Sequence, residues 1–408
     1  MIRRLQFLIV AVALLVAAFS TGLGFLFYVV YLGLLAVGGS YVLTRFGLAD
    51  LEAGYRVDHR QGHVGDELWT TYSISNASGL PKPWLEVYNP TDLPVPLPGR
   101  ALSLRSWAQR SWIAIAPLTR RGTYRIEPMV VRTGDPFGFF EAAATVGRPT
   151  VVSVFPRVVP LPRWRLPNAF LEGTHSAPER TLQTTPLATT VRPYAPGDSF
   201  NRIHWRSTAR LGEIQVKEFD LEQTADVWIF ADLDARVQAG EGDISTVEEV
   251  VRVAASIAHD AILENRAVGL TTSGHRLVSV PADRGPRQRQ KIMALLAAVE
   301  GDGRAPLAEV LLAGLPKLRR GMTAVVVTPS RERRWVRALT TLRARGVTAA
   351  VIAIAADSYD LPNRVRSSAE SDTDTAAQEQ RALRFALAEY DVRTYEVQAG
   401  DNLGAVLA

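Results

Sequence analysis

The chain has 408 residues, with 47% hydrophobic and 21% charged residues and a mean hydropathy of +0.04. This length predicts two or three domains, and the composition excludes a disordered or fibrous chain. The net charge of +5 comes from dispersed basic residues, which argues against a nucleic-acid-binding protein, and the absence of cysteine excludes disulfides, thiolate metal sites and cysteine nucleophiles.

The first 45 residues contain the stretch Leu5–Thr44, which has no Asp, Glu, Lys or Arg. A membrane-spanning helix needs about 20 apolar residues, so this stretch has room for two, and Ser20-Thr21-Gly22 is suited to a turn between them. We therefore predict an N-terminal transmembrane helical hairpin, with helices at about Leu5–Phe19 and Leu23–Leu43. The alternative is a signal peptide, but its apolar core is shorter than this stretch.

Basic residues flank the predicted hairpin on both sides. Arg3 and Arg4 precede it and Arg45 follows it, whereas the turn between the helices is uncharged. The positive-inside rule then places both ends of the hairpin in the cytoplasm. We predict a multi-pass protein of the cell membrane, with two helices and cytoplasmic soluble domains.

Residues 46–156 are predicted to form a β-rich, sandwich-like domain. Apolar and polar residues alternate in Leu68–Ile74, Trp112–Ile115 and Tyr124–Glu127, and Gly, Pro and Asn clusters separate these segments. Short strands at this spacing are typical of a β-sandwich.

After a connector at 157–222, residues 223–408 alternate between strand and helix patterns. Asp226–Asp232 is typical of a buried strand, and Thr246–Asn265 has helical spacing with one broad apolar face. Such alternation predicts a doubly wound, mostly parallel sheet covered by helices on both faces. The polar stretch Arg366–Thr375 is predicted to be a loop.

The end of the connector contains the most distinctive motif of the chain. Its residues are Arg192, Tyr194, Pro196, Gly197, Asp198, Arg202, His204, Trp205, Arg206, Ser207, Arg210, Lys217 and Glu218. Guanidinium groups bind carboxylates, phosphates and aromatic faces. Two interpretations stay open: the motif holds the two soluble domains together through ion pairs, or it contacts a partner protein directly.

This motif, with Arg121-Gly122-x-Tyr124 and the segment Asp135–Phe140 upstream, resembles the signature of the domain of unknown function 58 family. The layout is similar too: membrane helices, a β region, the signature, and an α/β domain similar to von Willebrand factor type A. The biochemical activity of the family is not established. Its members are often encoded beside MoxR-type AAA+ ATPases and transglutaminase-like membrane proteins, so the resemblance implies a protein partner of one of these kinds.

Domains of the von Willebrand type A class commonly hold Mg²⁺ through an Asp-x-Ser-x-Ser loop, and hard cations prefer such oxygen ligands. Here Asp232 matches the Asp, while Asp234 and Arg236 replace the two Ser. The later loop Gly301–Pro306 has no hydroxyl residue to complete the set. We predict no cofactor, with Asp232 and Asp234 as weak candidates for a Mg²⁺ site to which Asp302 could contribute; alternatively, the two aspartates cap helices or pair with Arg236.

Asp198, His204 and Ser207 contain the residue types of a nucleophilic triad. However, no Gly-x-Ser-x-Gly elbow surrounds Ser207, and the chain has no Gly-x-x-x-x-Gly-Lys-Ser/Thr phosphate loop. The sequence therefore predicts a non-catalytic, membrane-anchored interaction or scaffold protein that works with a MoxR-type AAA+ ATPase. The alternative is a hydrolase-like enzyme that uses the Asp198, His204 and Ser207 region.

Overall fold

The computed structural model describes residues 2–162, 164, 190–195, 200–218, 226–359 and 369–408. The chain divides into two compact units. One contains Met1–Val159 and Gln290–Glu300, and the other contains Pro160–Arg289 and Gly301–Ala408. The domain boundaries predicted from the sequence stay predictions.

The first unit begins with two helices, α1 (Ile2–Thr21) and α2 (Gly24–Gly47), and Gly22 between them has a left-handed φ of 67°. Helix α2 is long and apolar enough to cross a membrane, whereas the apolar stretch described in α1, Ile9–Thr21, is shorter. The rings of Phe19 and Phe27 meet edge to face, with centroids 5.1 Å apart. Of the described residues, only α2 thus has the length and composition of a spanning helix. Membrane anchoring, the second span and the orientation of the hairpin stay predictions.

The β strands of this unit alternate buried and exposed residues. They are β1 (Leu51–Val57), β2 (Gln61–His63), β3 (Glu67–Asn76), β4 (Lys82–Tyr88), β5 (Arg100–Leu104), β6 (Gln109–Pro117), β7 (Gly122–Ile126), β8 (Met129–Gly134), β9 (Glu141–Val146) and β10 (Thr150–Phe155).

These strands form sheets in the orders β1-β3-β6, β2-β10-β7 and β5-β4-β8-β9, and all pairs are antiparallel except β2 with β10. One apolar core contains residues of all three sheets, among them Ile74, Leu85 and Val152. The ring of Tyr72 stacks on Trp112 with centroids 5.2 Å apart, as cross-strand aromatic neighbours do. The β-rich prediction is confirmed.

The second unit contains two two-stranded sheets and a six-stranded sheet with helices. Its strands are β11 (Thr190–Pro193), β12 (Gln215–Glu218), β13 (Val227–Ala231), β14 (Gly240–Glu241), β15 (Ile244–Ser245), β16 (Val268–Ser273), β17 (Leu277–Asp283), β18 (Thr323–Thr328), β19 (Thr348–Ile354) and β20 (Arg393–Val397). Its helices, with one shared between the two units, are α3 (Trp205–Leu211), α4 (Thr246–Leu263), α5 (Pro286–Ala298), α6 (Leu307–Gly314), α7 (Val336–Ala344), α8 (Ala369–Glu389) and α9 (Leu403–Val406).

The large sheet has the order β17-β16-β13-β18-β19-β20, and its strands are parallel except for β17 at the edge. All residues of β13 are buried, which requires cover on both faces. Trp228 and Phe230 pack into a cluster with residues of α6, α7 and α8, and the alternating residues Val227 and Ile229 face the opposite way. The mostly parallel sheet is confirmed.

Helix α4 begins at Thr246, as its apolar spacing predicts. The Ser245 hydroxyl accepts a bond from the Glu248 N–H at 3.4 Å, which caps the first turn. The predicted loop at Arg366–Thr375 is wrong over residues 369–375, because α8 begins at Ala369. The rest of that stretch lies outside the described residues.

Candidate functional site

The signature segment folds as two short strands with a helix between them. Strands β11 and β12 pair antiparallel, with Arg192 opposite Val216, and a 3₁₀ turn at Phe200–Arg202 leads into α3. Ile203, Gln215 and Val216 are buried and form the inner side of this element. The motif residues Pro196, Gly197 and Asp198 lie outside the described residues, as do the side chains of Arg202, Lys217 and Glu218.

The structure brings His204 and Ser207 together at the start of α3. The Ser207 N–H donates to Nδ1 of His204 at 3.1 Å, and the Ser207 hydroxyl lies 2.7 Å from the same nitrogen. Because the two residues are three positions apart at a helix start, this is the geometry of a helix N-cap. Gly212 ends the helix with a left-handed φ of 74°, and its N–H donates to the Thr208 carbonyl.

The outer side of the signature is aromatic, apolar and basic. Phe200 is 71% exposed, Trp205 69% and Leu211 62%, and α3 has no buried residue. Arg206 and Arg210 are also exposed, while Tyr194 lies beside Phe200 with ring centroids 6.2 Å apart. Large apolar side chains exposed together mark contact surfaces more often than solvated ones. We call Phe200, Trp205, Arg206 and Leu211 the signature surface; its Phe200 and Leu211 were not singled out from the sequence, although both flank the motif.

A second polar cluster lies where β13 ends. Asp232 is fully buried and accepts a hydrogen bond from the Thr328 hydroxyl at 2.6 Å and one from the Asp234 N–H at 3.2 Å. Burial raises the pKa of Asp232 to about 6, against the opposing effect of the bond from Thr328. Sequence reasoning missed Thr328, although it ends the strand that pairs with β13 in parallel.

The carboxylate of Asp234 forms an ion pair with the guanidinium of Arg236. Arg236 donates from Nε to Asp234 Oδ1 at 3.0 Å and from Nη2 to Oδ2 at 2.5 Å. Burial raises the pKa of Asp234, but the bonds from Arg236 outweigh it, so the pKa lies below its usual value. Asp302 instead lies 3.5 Å from His275 Nδ1.

The residues at this edge fit the implied Mg²⁺ poorly. Both oxygens of Asp234 are already bound by a guanidinium, and among the residues that the structure describes no three carboxylate or histidine groups cluster as a metal site would require. The chemistry that remains is that of a buried acid, Asp232, beside an internal ion pair.

The comparison with protein families decides the relationship. The model described as "Protein of unknown function DUF58" matches residues 190–394, half of the chain. The chain belongs to this family. The match runs from β11 into β20, so it includes the signature surface and most of the α/β sheet. The predicted resemblance to the domain of unknown function 58 family is confirmed.

Similar proteins of known sequence are themselves uncharacterised. The uncharacterised protein YeaD of Bacillus subtilis is 26% identical over 313 residues, which cover 74% of this chain and 74% of that protein. An uncharacterised protein of Mycobacterium bovis is 26% identical over 178 residues, which cover 42% of this chain and 56% of that protein.

Two solved structures share a limited likeness. The CARDB domain of a Pyrococcus furiosus protein has 17% identity and a TM-score of 0.20, over 26% of this chain and 92% of that chain. Proximal thread matrix protein 1 from the mussel byssus has 10% identity and a TM-score of 0.30, over 45% of this chain and 46% of that chain. Scores this low carry no conclusion about the fold.

Proposed function

We propose that this protein is a non-catalytic scaffold, anchored in the cell membrane by its N-terminal helices, whose cytoplasmic body binds another protein through the signature surface. The observation that carries the proposal is the exposure of Phe200, Trp205 and Leu211 within the segment that begins the family match. Exposed aromatic and Arg side chains are the groups that dominate protein–protein binding energy.

The α/β unit suits this role. Its sheet is mostly parallel and is covered by helices, which is the arrangement of the von Willebrand type A class that the family resemblance implies. In the position of that class's cation ligands, Arg236 neutralises Asp234. We infer that recognition here uses side chains of the protein rather than a shared metal ion, and that the partner is a MoxR-type AAA+ ATPase.

Binding of the purified full chain to a purified MoxR-type ATPase tests the proposal. Trp205→Ala and Arg206→Ala should each weaken binding by about tenfold or more, since residues at the centre of an interface contribute at least ~1.4 kcal/mol. Phe385→Ala is the matched control, because Phe385 is an equally exposed aromatic residue on α8 of the same unit.

Two outcomes would contradict the proposal. If the signature variants bind as tightly as the parent chain, the surface is not the docking site. If the variants keep full binding but unfold at a lower temperature, the motif stabilises the chain internally, which is the other interpretation of the sequence.

A hydrolase-like activity is the second candidate. The contact of 2.7 Å between His204 Nδ1 and the Ser207 hydroxyl favours it, because a general base must lie within hydrogen-bond reach of its nucleophile. The same nitrogen accepts the Ser207 N–H, however, which capping explains without any catalytic role.

A further inference from the structure

The β unit has one end that lies against the carboxyl end of α2. The ammonium group of Lys82 is buried and donates to the Phe46 carbonyl at 2.7 Å, and the Ala77 N–H donates to the Asp50 carbonyl at 2.8 Å. Residues of α2 also contact the β8–β9 loop, where the rings of Tyr41 and Phe140 have centroids 5.6 Å apart. The loops at this end are therefore fixed next to the point where α2 stops.

Three loops at this end expose large apolar side chains. They are the β3–β4, β5–β6 and β8–β9 loops, in which Leu80 is 57% exposed, Trp107 72% and Phe137 58%. The first two loops are bonded to each other, because the Trp107 N–H donates to the Ser78 carbonyl at 3.2 Å. We call Leu80, Trp107 and Phe137 the apolar rim.

Backbone hydrogen bonds hold the β8–β9 loop in a conformation that leaves Phe137 exposed. The carboxylate of Asp135 accepts the N–H of Phe137 at 2.9 Å and that of Phe140 at 2.5 Å, and Gly138 turns the chain with a φ of 73°. Phe137 and Phe139 stack with centroids 5.8 Å apart. Phe137 is thus held in a defined position against the half-buried Phe139.

The length of α2 sets the depth of this end. Its 24 residues span about 36 Å, while the hydrocarbon core of a bilayer is about 30 Å thick and the headgroup layers add several Å on each side. If α2 enters at one edge of the core, Gly47 ends in the opposite headgroup layer. Loops bonded to Phe46 and Asp50 then lie at the same level, where aromatic side chains are favoured.

We propose that the apolar rim inserts into the headgroup layer of the membrane that α2 crosses. Loops between the β strands then contact the bilayer directly, in addition to the covalent attachment of these strands to α2. The occupant of this surface is lipid, because the rim loops lie against the end of α2, where Tyr41, Val42 and Phe46 are exposed and apolar. The inference rests on the membrane anchoring in the proposed function.

The absence of cysteine allows a direct test with single labels. Trp107→Cys and Phe137→Cys, each carrying a nitrobenzoxadiazole fluorophore, are made in the full chain and reconstituted into vesicles of phosphatidylcholine and phosphatidylglycerol. Lipids with a nitroxide near the headgroup should quench both labels several-fold more than a label at Arg148→Cys.

Arg148 is the matched control because it is exposed but lies beyond the far end of β9. Strand β9 runs from Glu141 beside Gly134 to Val146 beside Met129, so the control lies about 17 Å or more from the rim. Circular dichroism of each labelled chain checks that it has folded.

Flotation of the vesicles separates the two ways of failing. If the chain does not float with the vesicles, the anchoring fails and the rim with it. If the chain floats but the rim labels are quenched no more than the control, the anchoring stands and the rim proposal is overturned.

Discussion

Asp232 shows how burial changes the chemistry of a single residue. Its carboxyl is enclosed at the end of β13, and its pKa of about 6 lies well above the value of an exposed aspartate. The folded protein therefore keeps this proton at mildly acidic pH, where the unfolded chain has already lost it. Between about pH 4 and about pH 6 the stability contributed by this group falls as pH rises, by at most about 1.4 kcal/mol per pH unit.

Asp232→Asn should remove this dependence. The amide oxygen can still accept the bond from Thr328, and no charge is buried, so we expect the variant to be more stable than the parent chain at about pH 7 and little different at about pH 4. Thermal unfolding across this range, read as the difference between the two chains, measures the effect. A constant difference at every pH would show that Asp232 does not titrate in this window.

A side-chain contact can be predicted from the sequence when the two residues are close along the chain. The pairing of Asp234 with Arg236 was among the sequence interpretations, because the two residues are two positions apart. The contact between Asp232 and Thr328 joins residues 96 positions apart. It follows from the order of strands in the sheet, which a single sequence does not contain.

At the scale of elements, variants at the start of α3 distinguish the scaffold hypothesis from the hydrolase hypothesis. If His204 acts as the N-cap, asparagine at this position should also cap the helix, because its side-chain oxygen can accept the Ser207 N–H. We expect His204→Ala to destabilise the chain by about 1 kcal/mol and His204→Asn to restore most of that loss. Unfolding of the three chains in the same detergent measures the difference.

Chemical labelling of Ser207 tests the hydrolase alternative directly. A hydrolase would let a fluorophosphonate probe label Ser207, and His204→Asn would abolish that labelling because an amide cannot act as a base. Labelling that disappears in Ser207→Ala would favour the hydrolase. The capping interpretation expects the parent chain and the variants to remain unlabelled.

The helices also show where periodicity succeeds and where it fails. Thr246–Leu263 has a broad apolar face and a capping serine, and both signals agree with the helix found. The first turns of α8 read Ala-Glu-Ser-Asp-Thr-Asp-Thr, with no apolar repeat, so their sequence indicates a loop. Acidic residues near a helix start interact favourably with the helix dipole and therefore favour a helix. This signal is weaker than the absence of an apolar face, which indicates a loop.

At the scale of the whole molecule, the end of α2 determines where the β unit lies. Lys82 and Ala77 bond to Phe46 and Asp50, so in the proposed membrane arrangement this unit lies on the side where α2 ends. Arg45 in the last turn of α2 favours the cytoplasmic side. We expect a green fluorescent protein fused after Ala408 to fluoresce and an alkaline phosphatase fused there to be inactive.

The same reporters fused after Leu23 are the matched control, because Leu23 lies between α1 and α2. A hairpin that crosses twice reverses both signals at this position, with an active phosphatase and a dark fluorescent protein. If the fusion after Leu23 behaves like the one after Ala408, α1 does not cross the membrane and the hairpin is wrong. An active phosphatase after Ala408 would place the body outside the cell, where an AAA+ ATPase could not reach the signature surface.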